Sequence, residues 1–123
     1  MAVNPALLVV DDESSIRLLY SQELAEAGYE VVAVGSAAEA VTQLEAGEFD
    51  LVVLDIKLKN ESGLDLLQKI VKDRHDMPVI LCTAFSCYKD DFSAWLADGY
   101  VVKSSDLSEL KEEIRKVLAK KAR

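Results

Sequence analysis

Five short, valine-rich apolar runs, each followed by a polar or amphipathic stretch, constrain the fold of this 123-residue chain more than any other feature. The runs are Ala6–Val10, Tyr29–Val34, Leu51–Leu54, Val79–Cys82 and Tyr100–Val102. Four are nearly continuous in apolar residues, which suits parallel strands covered on both faces. The second is interrupted by Glu30, which predicts an edge strand.

Between the runs the apolar period becomes helical. Ile16, Leu19, Tyr20, Leu24 and Ala27 mark a first helix, with Gly28 as its stop. Ser36 and Glu39 have the spacing of a capping box for a second helix ended by Gly47. Ser62 can cap a third through Leu64, Leu67, Ile70 and Val71, and a fourth, less regular helix is expected over Tyr88–Ala97. Asp106 with Glu109 repeats the capping box before Leu107, Leu110, Ile114, Val117 and Leu118. This alternation predicts an α/β fold of (βα)5 type: a doubly wound five-stranded parallel sheet with helices on both faces. Ligands in such sheets bind beyond the C-terminal strand ends.

Charge narrows the partners. With 14 Lys+Arg against 22 Asp+Glu the formal charge is −8, the opposite of a nucleic-acid or anionic-membrane footprint. Half of the residues are apolar, which argues against intrinsic disorder. The length suits one domain, read here as residues 1–123 with no output domain. The apolar stretch behind Met1 stops at Asp11 and has no basic flank, so neither a signal peptide nor a membrane span of roughly 18 residues is expected. Cys82 and Cys87 lie in no metal-ligand spacing, and Cys82 reads as a small buried hydrophobe. His75 has no metal-ligand companions either. The expectation is a soluble, acidic, cytoplasmic domain.

The strand ends carry the chemistry. Asp11-Asp12-Glu13 follows the first run, Asp55 the third, Thr83-Ala84 the fourth and Lys103-Ser104 the fifth. Each alone has a plainer explanation: Asp11 or Asp12 as a helix cap, Asp55 as a turn residue, Thr83 as strand chemistry, Lys103 as a solvated charge. Their coincidence on the one edge where this fold builds sites outweighs those explanations. Three crowded carboxylates repel one another. A hard divalent cation such as Mg²⁺, held by carboxylates, waters and phosphate oxygens, relieves that repulsion. A phosphoryl group approaching Asp55 could then be attacked by its carboxylate, with Lys103 and the Thr83 hydroxyl against the phosphoryl oxygens. Phosphorylation removes one carboxylate charge and adds a group of about −2. That is the form of a switch.

The ordered set Leu7–Glu13, Leu51–Asp55 with Gly63 eight positions later, Thr83-Ala84 and Tyr100–Lys103 resembles the receiver domain of two-component response regulators. The resemblance implies strand order 2-1-3-4-5, and Asp55 as phosphoacceptor for a sensor histidine kinase or phosphotransfer protein. It implies Mg²⁺ held by Asp12 directly, by Asp11 through water, by Asp55 and by the backbone carbonyl of Lys57. Thr83 and Tyr100 would be the switch pair, remodelling the face made by the fourth helix, fifth strand and fifth helix. That face would act on a downstream protein or an output domain, with a phosphorylation-dependent homodimer as a further candidate. Such a domain catalyses its own phosphorylation and dephosphorylation and is not otherwise an enzyme. Lys57 and Phe85 match positions that tune dephosphorylation.

The chain departs from the family pattern in three places. Ser104 replaces the usual proline after the active-site lysine; a cis bond before serine costs about 3 kcal/mol or more, so a trans Lys103–Ser104 bond is expected, re-anchored by Ser105 and Asp106. Lys59 replaces a proline four residues after Asp55, implying a more mobile loop. Thr83 and Lys103 lie closer together than the family pattern, implying an abbreviated fourth helix or exit loop, where Phe92 is expected buried and Trp95 is open. Among other functions, a haloacid-dehalogenase-like phosphatase would need a second aspartate two residues after its nucleophile, where Lys57 stands. A flavodoxin-like cofactor binder would need a phosphate-cradling loop where Asp11-Asp12-Glu13 stands. A phosphorylation-independent interaction module of the same fold is the main rival.

Overall fold

The computed structural model describes residues 4–74, 76–84, 96–104 and 106–121. Strands β1 (Ala6–Val10), β2 (Glu30–Val34) and β3 (Leu51–Leu54) alternate with helices α1 (Ser14–Glu26) and α2 (Ala37–Ala46). A two-residue hairpin pair, β4 (Lys57–Leu58) and β5 (Glu61–Ser62), leads into α3 (Gly63–Asp73). Then come β6 (Val79–Thr83), β7 (Gly99–Val102) and α4 (Ser108–Lys121). The five long strands pair in parallel in the order β2-β1-β3-β6-β7. This is the expected 2-1-3-4-5 order, with the Glu30-bearing strand at an edge.

Alternation along each strand builds two cores. Leu8, Val10, Val52, Leu54, Val79 and Leu81 pack under α2 and α3, against Ala40, Leu44, Leu67 and Ile70. Their neighbours Leu7, Val9, Leu51, Val53, Ile80 and Cys82 pack on the other face against Tyr20 and Leu24 of α1 and Leu110 and Ile114 of α4. Side chains in a strand point alternately to opposite faces, so continuous apolar runs require helices on both sides.

The caps follow the sequence with one amendment. Ser36 Oγ accepts from the Glu39 amide and Ser62 Oγ from that of Leu64, both at 3.2 Å. Asp106, however, accepts from the amide and hydroxyl of Ser108. The buried stripe of α1 is also narrower than its periodicity suggested: Tyr20 and Leu24 are buried, while Leu19 is 37% exposed and Ala27 lies on the surface.

At the opposite, N-terminal edge two aspartates close strand ends in the same way. Asp50 Oδ2 accepts from the Ala6 amide at 2.7 Å, and Asp98 Oδ2 from the Val79 amide at 2.9 Å. Among the described residues no helix is long and apolar enough to cross a membrane. His75, Phe85, Cys87, Tyr88, Phe92, Trp95 and Ser105 lie outside the described residues, as does most of the expected fourth helix.

Candidate functional site

Register brings the strand ends together. Val10 pairs with Leu54, Leu54 with Leu81, and Thr83 with Val102. The ladder continues one residue further: the Asp55 amide donates to the Val10 carbonyl at 3.0 Å, and the Lys103 amide to that of Thr83 at 2.6 Å. Asp11, Asp55 and Lys103 therefore leave their strands on one edge. Among the described residues, Asp11, Asp55 and Thr83 are the polar side chains that the fold buries.

Lys103 ties the acids together. Its ammonium lies 2.7 Å from Asp11 Oδ2 and 2.9 Å from Asp55 Oδ2, with Glu13 Oε1 at 4.0 Å. Burial alone would depress the lysine pKa, but hydrogen bonds and charge from Asp11 and Asp55 outweigh it and hold it above the ordinary value. Asp55 moves the other way from a simple ion pair. Burial raises its pKa, the Lys103 hydrogen bond and charge oppose that, Asp11 adds to it, and the outcome is a carboxyl above its usual range. The site thus holds a buried carboxylate that is costly to keep charged and a lysine that stays protonated.

Asp11, Asp12 and Asp55 each present a carboxylate oxygen, all within 4.8 Å of one another. Asp11 and Asp55 are engaged by Lys103. Asp12 is half-buried and makes no hydrogen bond or ion pair among the described residues, so its lone pairs remain available. Several hard oxygen donors, one of them uncommitted, are the donor set that Mg²⁺ takes, and the cluster is consistent with Mg²⁺ binding. Lys57, two residues past Asp55, is exposed and donates its amide to Asp55 Oδ1 at 3.4 Å. Thr83 ends β6, fully buried. Tyr100 lies in β7, partly buried against the core beneath α2 and α3.

The loops around the site account for two of the departures. Every peptide bond among the described residues is trans, Lys103–Ser104 included. Ser104 Oγ accepts from the Asp106 amide at 3.2 Å, so Ser104 itself anchors the turn. The segment after Asp55 forms a hairpin, Lys57 opposite Ser62 and Leu58 opposite Glu61, turned by Asn60 at a φ of 61°. Asparagine tolerates that left-handed conformation better than most residues. Glu61 then reaches across to the Ala37 amide at 2.9 Å, placing a carboxylate at the N-terminus of α2. Sequence inspection missed Glu61, and it missed Arg17, whose Nη1 donates to the Asp11 carbonyl at 2.8 Å. Neither lies in a local pattern that would have marked it.

Comparison with known proteins gives the family and the fold. The family profile described as the response regulator receiver domain matches residues 7–115. The DNA-binding transcriptional regulator NtrC of Rhizobium meliloti is 37% identical over 119 residues, which is 95% of this chain and 25% of that protein. The chain therefore spans about a quarter of the length of that curated relative. The response regulator protein TrrA of Thermotoga maritima, in a crystal structure with Mg²⁺ and BeF, superposes with a TM-score of 0.89 at 45% identity, covering 92% of this chain and 98% of that one. A crystal structure of the histidine kinase ThkA in complex with TrrA gives a TM-score of 0.87 at 46% identity, covering 93% and 98%. With the family profile spanning residues 7–115 and the fold shared with TrrA, this chain belongs to the response regulator receiver domain family.

Proposed function

We propose that the chain is a phosphoacceptor switch in which Asp55 takes a phosphoryl group from the phosphohistidine of a sensor kinase or phosphotransfer protein. The observation that carries this is the Lys103 ammonium bridging Asp11 and Asp55, 2.7 and 2.9 Å away, beside the uncommitted Asp12. Support for a kinase donor comes from the complex of TrrA with ThkA, and for Mg²⁺ from the Mg²⁺–BeF complex of TrrA.

Asp12 and Asp55, with Asp11 through water and the Lys57 carbonyl, would hold Mg²⁺, which supplies positive charge against the phosphoryl oxygens. The Asp55 carboxylate attacks phosphorus, the histidine nitrogen leaves, and an acyl phosphate forms. Lys103 holds Asp55 in line and then follows the new negative charge. The Thr83 hydroxyl turns toward the phosphoryl group, and Tyr100 fills the space behind it. A downstream protein or an output domain would read the altered β7–α4 face. The only chemistry assigned to the chain is on its own aspartate.

Incubation with Mg²⁺ and a small phosphodonor, followed by intact-mass measurement, should show one phosphoryl adduct. The adduct should be absent from Asp55→Asn and after chelation of Mg²⁺. No adduct, or an equal one on Asp55→Asn, would favour an interaction module that works without phosphorylation.

A further inference from the structure

Asp11 is more completely tied down than any phosphoryl chemistry demands. Its amide donates to the Val34 carbonyl at 3.0 Å. Its Oδ1 accepts from the Glu13 amide at 3.0 Å and its Oδ2 from Lys103 at 2.7 Å. Its carbonyl, half of the peptide that joins it to Asp12, accepts from Arg17 Nη1 at 2.8 Å. Four residues, Val34, Glu13, Lys103 and Arg17, thus converge on one. Among the described residues Asp12 has no such ties of its own, and the peptide on which it sits is the one that Asp11 anchors.

We propose that Arg17 is a positioning residue of the metal site, holding the Asp11–Asp12 peptide so that the Asp12 carboxylate faces Asp11 and Asp55. The inference rests on those three carboxylates being a Mg²⁺ site. Arg17 reaches the carbonyl from the first turn of α1, and it does so through space that Gly35 leaves open. A Cβ at Gly35 would lie 2.9 Å from Arg17 Nη1 and 3.4 Å from its Cζ. Glycine at the end of β2 is therefore part of the same arrangement, because a larger residue there pushes the guanidinium off its line. Groups that orient metal ligands without touching the metal commonly change affinity by about 10- to 100-fold when removed.

Charge and position predict opposite signs here. A guanidinium beside three carboxylates competes electrostatically with a divalent cation, so loss of its charge alone should tighten Mg²⁺ binding. Loss of its hold on the peptide should weaken it. The test is a calorimetric titration with Mg²⁺, repeated with Mn²⁺ by electron paramagnetic resonance, on the wild-type chain, Arg17→Met, Arg17→Lys and Gly35→Ala. Arg17→Met is expected to bind about tenfold more weakly, with Arg17→Lys recovering part of the loss. Gly35→Ala keeps every charge and should also weaken binding, which keeps the proposal testable if Arg17→Met fails to fold. The Mg²⁺ concentration giving half-maximal phosphorylation by a small phosphodonor should rise in step, and added Mg²⁺ should recover the rate. Unchanged or tighter binding in Arg17→Met and Gly35→Ala would overturn the positioning role while leaving the site intact. A wild-type chain that binds neither ion would overturn the metal reading itself.

Discussion

Gly63 stands directly against the backbone of Asp55: its amide donates to the Ile56 carbonyl at 2.6 Å, and a Cβ built on it would overlap the Asp55 carbonyl oxygen. The start of α3 is thereby pressed onto the strand end that presents Asp55. The hairpin β4–β5 fills the interval between the two.

Gly63→Ala should therefore be among the more damaging small substitutions in the chain. The methyl group meets backbone, which cannot rotate away, so α3 or Asp55 must move. Overpacking of this kind costs about 1–3 kcal/mol. We expect that loss in chemical denaturation, together with a phosphorylation rate reduced more than tenfold at temperatures where the variant is still folded, since small misplacements of a reacting group cost about 10²-fold. A variant with wild-type stability would contradict the close approach.

Lys103→Met should destabilise the domain by about 3 kcal/mol at pH 7, because two buried carboxylates lose their cation. The loss should shrink on acidification. Without Lys103 the two largest effects that lower the Asp55 pKa are gone, while burial and the charge of Asp11 remain, opposed by the Lys57 amide alone. Its folded-state pKa then rises further above the unfolded value of about 3.9, and the folded state gains protons as pH falls toward it. In the wild-type chain the raised Lys103 pKa works at the other end of the scale. Its contribution is fully present below the unfolded lysine value of about 10.4 and is lost as pH rises through the higher folded value. Urea melts at pH 5 and 7 check the first, and a deficit that is constant between them would contradict it; at pH 10, below both lysine values, the Lys103 contribution should still be present in full.

Asp55→Asn should abolish phosphorylation and yet stabilise the protein. Burial raises the Asp55 pKa, so keeping it ionised at neutral pH works against folding. An amide of the same shape removes that charge, with a gain of about 1 kcal/mol, a size common where a functional site is held against stability. The gain should fade as pH drops through the raised folded pKa toward the unfolded value, where the wild-type carboxyl protonates as well. Thermal melts of the two proteins at pH 7 and pH 4 test this, and a lower melting temperature for Asp55→Asn at pH 7 would refute it.

Cys82 should be chemically silent in the folded protein. It is 2% exposed and lies 3.4 Å from the Tyr20 hydroxyl, between α1 and β6. Burial pushes its thiol pKa up to about 11, against the lowering effects of the Tyr20 hydrogen bond and the Lys103 charge. A buried thiol that stays protonated is a poor nucleophile. Iodoacetamide at pH 8, read by peptide mapping so that Cys87 is scored separately, should leave Cys82 unmodified until denaturant is added. Rapid modification under native conditions would count against the packing described.

Much of the molecule was legible before its structure, and the reasons are specific. Runs such as Leu7–Val10 and Leu51–Leu54 lack any polar position, which only a doubly covered parallel strand tolerates. Short loops between strand and helix then leave few topologies. The candidate site was legible because Asp11, Asp55, Thr83 and Lys103 all end or follow strands, and parallel strands bring those positions to one edge. Less legible were caps whose partner is close but not at the standard offset, as with Asp106 and Ser108. The hairpin at Asn60 was missed because two paired residues on each side leave no periodicity to detect.

The sequence by itself determined the alternation of strands and helices, the edge that carries chemistry and the residue types gathered there, because these depend on side-chain period and strand polarity. Only the tertiary structure decided which acids Lys103 bridges, that Asp12 is the uncommitted one, and that Arg17, in space left open at Gly35, donates to the carbonyl of the peptide between the two aspartates. Those contacts link positions as far apart as Asp11 and Lys103, and their distances are set by how α1, β2 and β7 settle on the sheet. No local spacing encodes them.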